Sequence, residues 1–304
     1  MAQPSRTARP TPRTVLVTGA SSGIGLATTV AAANAGWTVI ATLRDTSRAA
    51  ALSSAADAAG VGIDVRTLEV TDPTSVSACL DGVIADHGRL DAVVNNAGAA
   101  HVGTLETDDD EAIRTCLEVN FFGVIAVSKA ALPHLRASAG RLLTVTSVGG
   151  VIGQPFNEAY CAAKFAVEGF MESLAPVAAT VGVQVGVVEP GAVSSEFIAN
   201  AGLDPAAMLA GAGPYSPALD AYIARVSSQF GGNAQPASEV ADVIVAALGV
   251  NPLPFRTQTS VGAGQFVGVK LADLDGSAVQ NLTAGWVHDP AGRRQPRGML
   301  TNRE

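Results

Sequence analysis

At 304 residues, with 48% hydrophobic and 15% charged side chains, the chain is too apolar for intrinsic disorder and long enough to bury a full core. A net charge of −8 repels a phosphate backbone, which excludes nucleic acid as a partner for the surface as a whole and means that any bound anion must be gripped locally. No Pro/Gly-rich or charged linker divides the chain, so a single domain is expected.

The first 13 residues, rich in Pro, Thr, Ser and Arg, contain no apolar segment and read as a flexible arm, neither signal nor anchor. Thr14–Thr18 is a β-branched run, predicted as a strand, that stops at a glycine-rich turn; alanine-rich Ala27–Ala35 then reads as a helix. Gly36 stands where a glycine ends a helix, and Thr38–Leu43 supplies the next strand. The alternation continues with strand Val65–Val70, helix Ser75–Asp86, strand Ala92–Asn95, a helix from Asp109 to Leu135, strand Arg141–Ser147, a helix from near Asn157, and strand Val183–Glu189. Pro176 removes a helical hydrogen bond at a cost of about 3 kcal/mol, so that last helix is expected to kink or end near Leu174. Between Ser194 and Pro236 the pattern weakens into Ala, Gly and Pro, a stretch expected to cover a substrate. Ser238–Leu248 reads as a helix and Phe266–Leu271 as a last strand, with residues 289–304 a loose tail beyond a folded unit of residues 14–288. Strands recurring between helices predict an α/β, Rossmann-type doubly wound, mostly parallel sheet with helices on both faces.

Three cysteines, Cys79, Cys116 and Cys161, lack paired spacing, which argues against a disulfide framework or zinc site and for a reducing, cytoplasmic setting. The four histidines are scattered, so no metal is expected, and Asp108–Glu111 reads as a complement to a helix N-terminus. No run of about 18 apolar residues suggests a membrane span.

Chemistry concentrates at two places. Thr18-Gly19-Ala20-Ser21-Ser22-Gly23-Ile24-Gly25 joins the first strand to its helix; glycines there allow a sharp turn and close approach of a pyrophosphate to the partly positive helix start. Farther on, Tyr160 and Lys164 stand four apart, hence on one helical face, where an ammonium favours ionisation of a phenol otherwise too basic for neutral pH.

In register with these stand Asn95-Asn96-Ala97-Gly98, Asn120, Ser147 and Pro190-Gly191. In order and spacing the set resembles the short-chain dehydrogenase/reductase family, from about Thr14 to Leu248. The resemblance implies an oxidoreductase moving a hydride between a nicotinamide cofactor and a carbonyl or alcohol. Tyr160 would be the acid/base and Ser147 the hydrogen-bond partner of the substrate oxygen. Lys164 would hold the nicotinamide ribose, and Asn120 would steady a water on a proton path. Tyr160 and Lys164 thus count among the cofactor contacts, with Gly19, Ser21, Ser22, Gly23, Ile24 and Gly25 at the pyrophosphate. Asn96, Ala97 and Gly98 would lie beside the adenosine ribose, Glu69 and Val70 near adenine, and Pro190, Gly191 and Val193 around the carboxamide. Glu69 departs from the family's aspartate, and Ser194 and Ser195 stand where relatives often carry threonine.

Cofactor choice divides between two residues. Asp45, some 20 positions past the glycines, fits an NAD(H) ribose, whereas Arg44 after the apolar run fits the NADP(H) phosphate through bidentate charge-assisted bonds; NADP(H) is favoured and NAD(H) stays open. Val188-Glu189-Pro190-Gly191 and Ala41–Asp45 are similar to the branch of 17β-hydroxysteroid and retinol dehydrogenases, which implies a hydrophobic secondary alcohol or ketone as the small-molecule substrate. Family likeness also implies a homodimer or homotetramer. A catalytically idle redox sensor on the same fold is the alternative, disfavoured by the complete Asn120, Ser147, Tyr160 and Lys164 set; a sugar-nucleotide epimerase would need different glycine spacing.

Overall fold

Aliphatic and β-branched runs become strands because only a sheet covered on both faces can bury them along their full length. The computed structural model describes residues 12–194, 204–232, 234–275 and 277. Its main sheet contains β1 (Thr14–Thr18), β2 (Thr38–Leu43), β3 (Asp64–Thr67), β4 (Ala92–Asn95), β5 (Arg141–Val145), β6 (Gln184–Glu189) and β9 (Arg256–Gln258). These seven are parallel, in the order β3-β2-β1-β4-β5-β6-β9. The order reverses between β1 and β4, and at such a point a crevice opens beyond the carboxyl ends of the strands. A separate pair, β7 (Val193–Ser194) with β8 (Gln235–Pro236), ties the segment after β6 to the start of a later helix.

Strand alternation assigns the faces. Leu16 of β1 and Ile40 of β2 join one core with α3 (Pro73–His87), α5 (Gly123–Ser138) and α6 (Glu158–Ala179). Val15, Val17 and Val39 join the opposite core with α1 (Gly23–Asn34) and α9 (Ala237–Gly249). Gly36 stops α1 as expected: at φ +85° it lets its own N–H reach Ala33 O and that of Trp37 reach Ala32 O. The remaining helices are α2 (Ala50–Ala59), α4 (Asp110–Leu117), α7 (Pro205–Gly211), α8 (Ser216–Gly232) and α10 (Val261–Gly268). The helical run Asp110–Ser138 is long and apolar enough to cross a membrane by length and composition. It packs on the sheet through Val124, Val127, Ala131 and Leu135, as a core helix does.

Several expectations change: the strand expected over Val65–Val70 spans Asp64–Thr67, and the one expected over Arg141–Ser147 ends at Val145. Phe266–Leu271 forms no strand: Ser260 accepts the Ala263 N–H and starts α10 instead. The last strand is the short, polar Arg256–Gln258, whose pattern carries no apolar signature. The helix bearing Pro176 continues to Ala179, because the missing N–H falls in its final turn and burial of Pro176 and Ala178 offsets one lost bond. Of the acidic run, Asp109 caps α4 and Asp110 and Glu111 fill its first turn, while Asp108 turns away to pair with His101 at 2.6 Å. The N-terminal arm up to residue 11, Ser195 and the tail of 289–304 lie outside the described residues.

At the opposite end of the sheet from the crevice, buried Asp91 accepts the Thr14 N–H at 2.8 Å and holds Arg89 through both carboxylate oxygens. Removing it strands a buried donor, which costs about 1–3 kcal/mol. Asp91→Ala is therefore expected to lower the unfolding free energy in urea by about 2 kcal/mol, and Asp91→Asn, which keeps an acceptor, by less.

Candidate active site

At the carboxyl end of β1 the backbone turns through Gly19 at φ +68° and Gly23 at φ +55°. A Cβ on Gly25 would fall 2.2 Å from Gly19 O and 2.4 Å from Asn96 Nδ2, so only glycine lets α1 pack this close. Thr18 Oγ1 accepts the N–H groups of Asn96 at 2.9 Å and Ala97 at 3.0 Å, and Asn96 Nδ2 donates to Thr18 O and Gly19 O. The Asn96–Gly98 segment is thereby folded onto the glycine turn across the point where the strand order reverses. Ser22 begins α1 in extended backbone, and the first turn holds no acidic side chain. Ser21, Ser22, Gly23 and Ile24 border a helix start whose positive end suits a diphosphate.

Next to it, beyond β2, Arg44 is exposed, with its Nε 3.8 Å from Glu69 Oε2. Glu69 Oε1 accepts from the Thr71 N–H and hydroxyl. Asp45 faces its own chain: it accepts the Ser47 N–H at 2.9 Å, and bonding with the Ser47 side chain, then with that N–H, holds its carboxyl below the usual range. Val70 is buried, closing on Gly123, where a Cβ would lie 2.7 Å from its Cγ2.

Past β5, Ser147 accepts the Gly149 N–H at 3.0 Å and starts a 3₁₀ turn, Val148–Gly150. Tyr160 lies in the first turn of α6. Burial pushes its phenol up, and a hydrogen bond with Ser147 pulls the other way. Lys164, one turn on, is buried; its Nζ donates to Val145 O at 3.2 Å and stands 5.7 Å from the Tyr160 ring centroid. Burial lowers that ammonium to about 8. Desolvation dominates at Tyr160, and Lys164 Nζ is directed to a backbone carbonyl.

Asn120 is fully buried in a π-helical stretch, Glu118–Phe122, between α4 and α5. Its Nδ2 donates to Ala99 O at 2.9 Å and Cys116 O at 3.0 Å, and its Oδ1 accepts the Ala99 N–H. A Cβ on Gly98 would lie 2.9 Å from Asn120 Oδ1 and 3.6 Å from Lys164 Nζ. Asn120, Ser147, Tyr160 and Lys164 are thus brought together with the Asn96–Gly98 segment. Pro190 joins them by accepting the Val148 N–H at 2.9 Å; Gly191 follows it, Val193 is buried in β7, and Ser194 is exposed.

Other residues complete the site without having announced themselves in the sequence. A Cβ on Gly149 would stand 3.3 Å from both Ser147 Oγ and Gln154 Nε2, so Gln154 shares the recess of the serine. Its position in a loop carries no recognisable signal. Beside the start of α6, Val102, Thr104, Phe156, Met208, Ala212 and Leu219 line a cavity of about 170 Å³. Here α7 and α8 rest on the body through Tyr215, which donates to Glu106 at 2.5 Å, and through Tyr222, bonded to Asn157. Among the described residues no group of His, Cys, Asp and Glu is arranged to hold a metal.

Comparison with known proteins agrees with this architecture. Residues 13–205 match the short chain dehydrogenase family model. Retinol dehydrogenase 8 of Bos taurus is 36% identical over 281 residues, covering 88% of this chain and 87% of that protein. Human 17-beta-hydroxysteroid dehydrogenase type 1 is 35% identical, covering 86% and 82%. A short-chain dehydrogenase crystal structure from Streptomyces avermitilis superposes with a TM-score of 0.71 at 30% identity, over 91% of this chain and 97% of that one. Actinorhodin polyketide ketoreductase, solved with NADPH, gives 0.69 at 28% identity over 83% and 97%. The fold, the paired glycine and Tyr/Lys landmarks and these likenesses together make the chain a member of the short-chain dehydrogenase/reductase family, oxidoreductases acting on CH–OH groups.

Proposed function

We propose that this protein is an NADP(H)-dependent oxidoreductase that interconverts a hydrophobic secondary alcohol and its ketone, with Tyr160 as acid/base. The observation that carries the reading is the phenol of Tyr160 bonded to the Ser147 hydroxyl, with a buried ammonium one turn behind. The cofactor supplies the hydride for reduction and takes it up in oxidation. A substrate oxygen placed between Ser147 and Tyr160 meets two hydroxyls. The raised phenol keeps its proton at neutral pH and can hand it to that oxygen as the carbonyl is reduced. Lys164, still mostly charged at pH 7, steadies the negative charge left on Tyr160 and is the residue that would hold the ribose. Asn120, bonded to Ala99 from both ends of its amide, fixes the wall beside Lys164 and would order the water through which the proton is restored.

Tyr160→Phe is expected to remove nearly all turnover against a panel of ketones and aldehydes, followed by NADPH absorbance, while NADPH still binds by fluorescence titration. Turnover close to that of the unaltered protein would overturn the assignment.

Support for NADP(H) over NAD(H) lies in the exposed Arg44 and in Asp45 being occupied with its own turn. Arginine grips a phosphate through two charge-assisted bonds. Replacing Arg44 with Ala should raise KM for NADPH roughly tenfold and leave KM for NADH nearly unchanged; equal rises would refute the preference. The cavity between α7, α8 and the loop of residues 102–108, lined in large part by apolar side chains, supports a hydrophobic substrate. So do the names of the relatives, which are those of retinol and 17-beta-hydroxysteroid dehydrogenases.

We further propose self-association, as a homodimer or homotetramer, through α5 and α6. Phe122, Phe170, Val177 and Val181 are exposed there, and Leu132, Pro133 and Leu174 line an apolar groove of about 270 Å³ between the helices. Phe170→Glu is expected to shift the light-scattering mass toward the monomer; an unchanged mass argues against this face. The three buried thiols accord with a cytoplasmic setting.

A further inference from the structure

Next to the catalytic groups, at the carboxyl ends of β5 and β6, three carboxyl groups gather around one guanidinium. Glu168 and Glu172 stand one and two turns beyond Lys164 on α6, Glu189 ends β6, and Arg256 begins β9. Arg256 Nη2 lies 2.7 Å from Glu172, and its Nη1 lies 3.3 Å from Glu189 but 3.6 Å from Glu168. Gln258 donates to the second oxygen of Glu189 at 2.9 Å. Glu168 and Glu189 are almost wholly buried, and Glu168 Oε2 accepts no hydrogen bond. A carboxylate in that position would be desolvated, flanked by two others and short of donors.

Counting protons at Thr146 sharpens the point. Its Oγ1 lies 2.5 Å from Glu168 Oε1 and 3.1 Å from Val188 O. A hydroxyl has one proton, and a backbone carbonyl can only accept. Both contacts are hydrogen bonds at once only when Glu168 brings a proton of its own, donating to Thr146 while Thr146 donates to Val188.

We propose that Glu168 is a neutral carboxylic acid at pH 7 and a positioning residue for the active site, its O–H holding Thr146 and thereby the strand end that carries Ser147. The link to chemistry is short. Lys164 Nζ holds Val145 O and Glu168 holds Thr146, so two successive turns of α6 fix two successive residues ahead of Ser147. The groups facing Glu168 are Lys164 and Glu172 on its own helix, Glu189 on β6 and Arg256 on β9; burial, then Glu189, push its carboxyl up to about 8. The positioning role rests on the proposed chemistry at Ser147 and Tyr160, whereas the protonation state does not.

Infrared difference spectroscopy on the intact protein without substrate tests the protonation. The spectrum of the unaltered protein minus Glu168→Gln at pH 7 is expected to contain the carbonyl stretch of a protonated carboxylic acid, which fades as the pH is raised past about 8. A carboxylate band at pH 7 overturns the proposal. Should Glu168→Gln fail to fold, Thr146→Val leaves Glu168 in place and removes its acceptor, and the same acid band should then shift in frequency; an unshifted spectrum counts against it. For positioning, Glu168→Ala should lower kcat roughly tenfold, and Glu168→Gln, whose amide donates to Thr146 at any pH, should recover most of it. Equal losses in both variants, with the acid band present, refute the positioning role alone, and an inactive parent protein with the band present refutes only the reading of the reaction.

Discussion

A lysine ammonium shut away from water is the constraint from which this end of the molecule follows. Such a charge is expensive unless its donors are met. Lys164 meets the demand by donating to Val145 O, which pins α6 to the end of β5 and fixes the angle at which Tyr160 approaches Ser147. Gly98 is the complement of that arrangement. A side chain there would press on Asn120 Oδ1 and touch Lys164, so the segment after β4 passes them as bare backbone. Depressed to about 8, the ammonium stays close to the pH at which it can change charge, a property that an exposed lysine lacks.

The glycine turn shows the same economy of contacts in a different form. Gly19 and Gly25 are required first by the protein itself, since Ala97 and Asn96 occupy the space that side chains would need. Close packing of the glycine turn and the start of α1 against the segment after β4 is thus what brings the helix start to the mouth of the crevice. Asn96 and Ala97 donate four hydrogen bonds to Thr18 and Gly19 across the reversal of strand order, so the turn is held by the segment after the neighbouring strand as well as by its own backbone.

Much of this was legible beforehand, for identifiable reasons. β1, β2 and β4 begin and end where the sequence places them, because a buried parallel strand leaves an unbroken apolar run bounded by turn residues. Spacing alone places Tyr160 and Lys164 on one helical face, and the family resemblance, carried by the order and spacing of its landmarks, adds Asn120 and Ser147. What escaped depends on contacts between distant segments. The strand Arg256–Gln258 is polar because Arg256 and Gln258 are spent on buried carboxylates of β6 and α6, so the feature that stabilises it also erases its signature. Pro176 misleads for a related reason: propensity counts the lost bond but not the burial that offsets it. Spacing reports that an ammonium stands near the phenol and is silent about how deeply both groups are desolvated.

The two sides of the crevice are built to different standards. On the cofactor side, strand ends and glycines interlock through backbone groups, and a change at one position disturbs several others. On the opposite side, α7 and α8 are attached through side chains, the tyrosine contacts to Glu106 and Asn157 and a small cluster around Phe156. Side-chain contacts of this kind can be exchanged without moving the sheet. Phe156 itself sits at φ +58°, an unfavourable backbone conformation for a bulky residue, directly ahead of the helix that carries Tyr160. Its ring is held against Tyr222 and lines the cavity, so α8 and the helix that carries Tyr160 are connected through one strained turn. Change in α7, α8 and that turn can therefore be accommodated while Tyr160 and Ser147 remain where the buried lysine holds them.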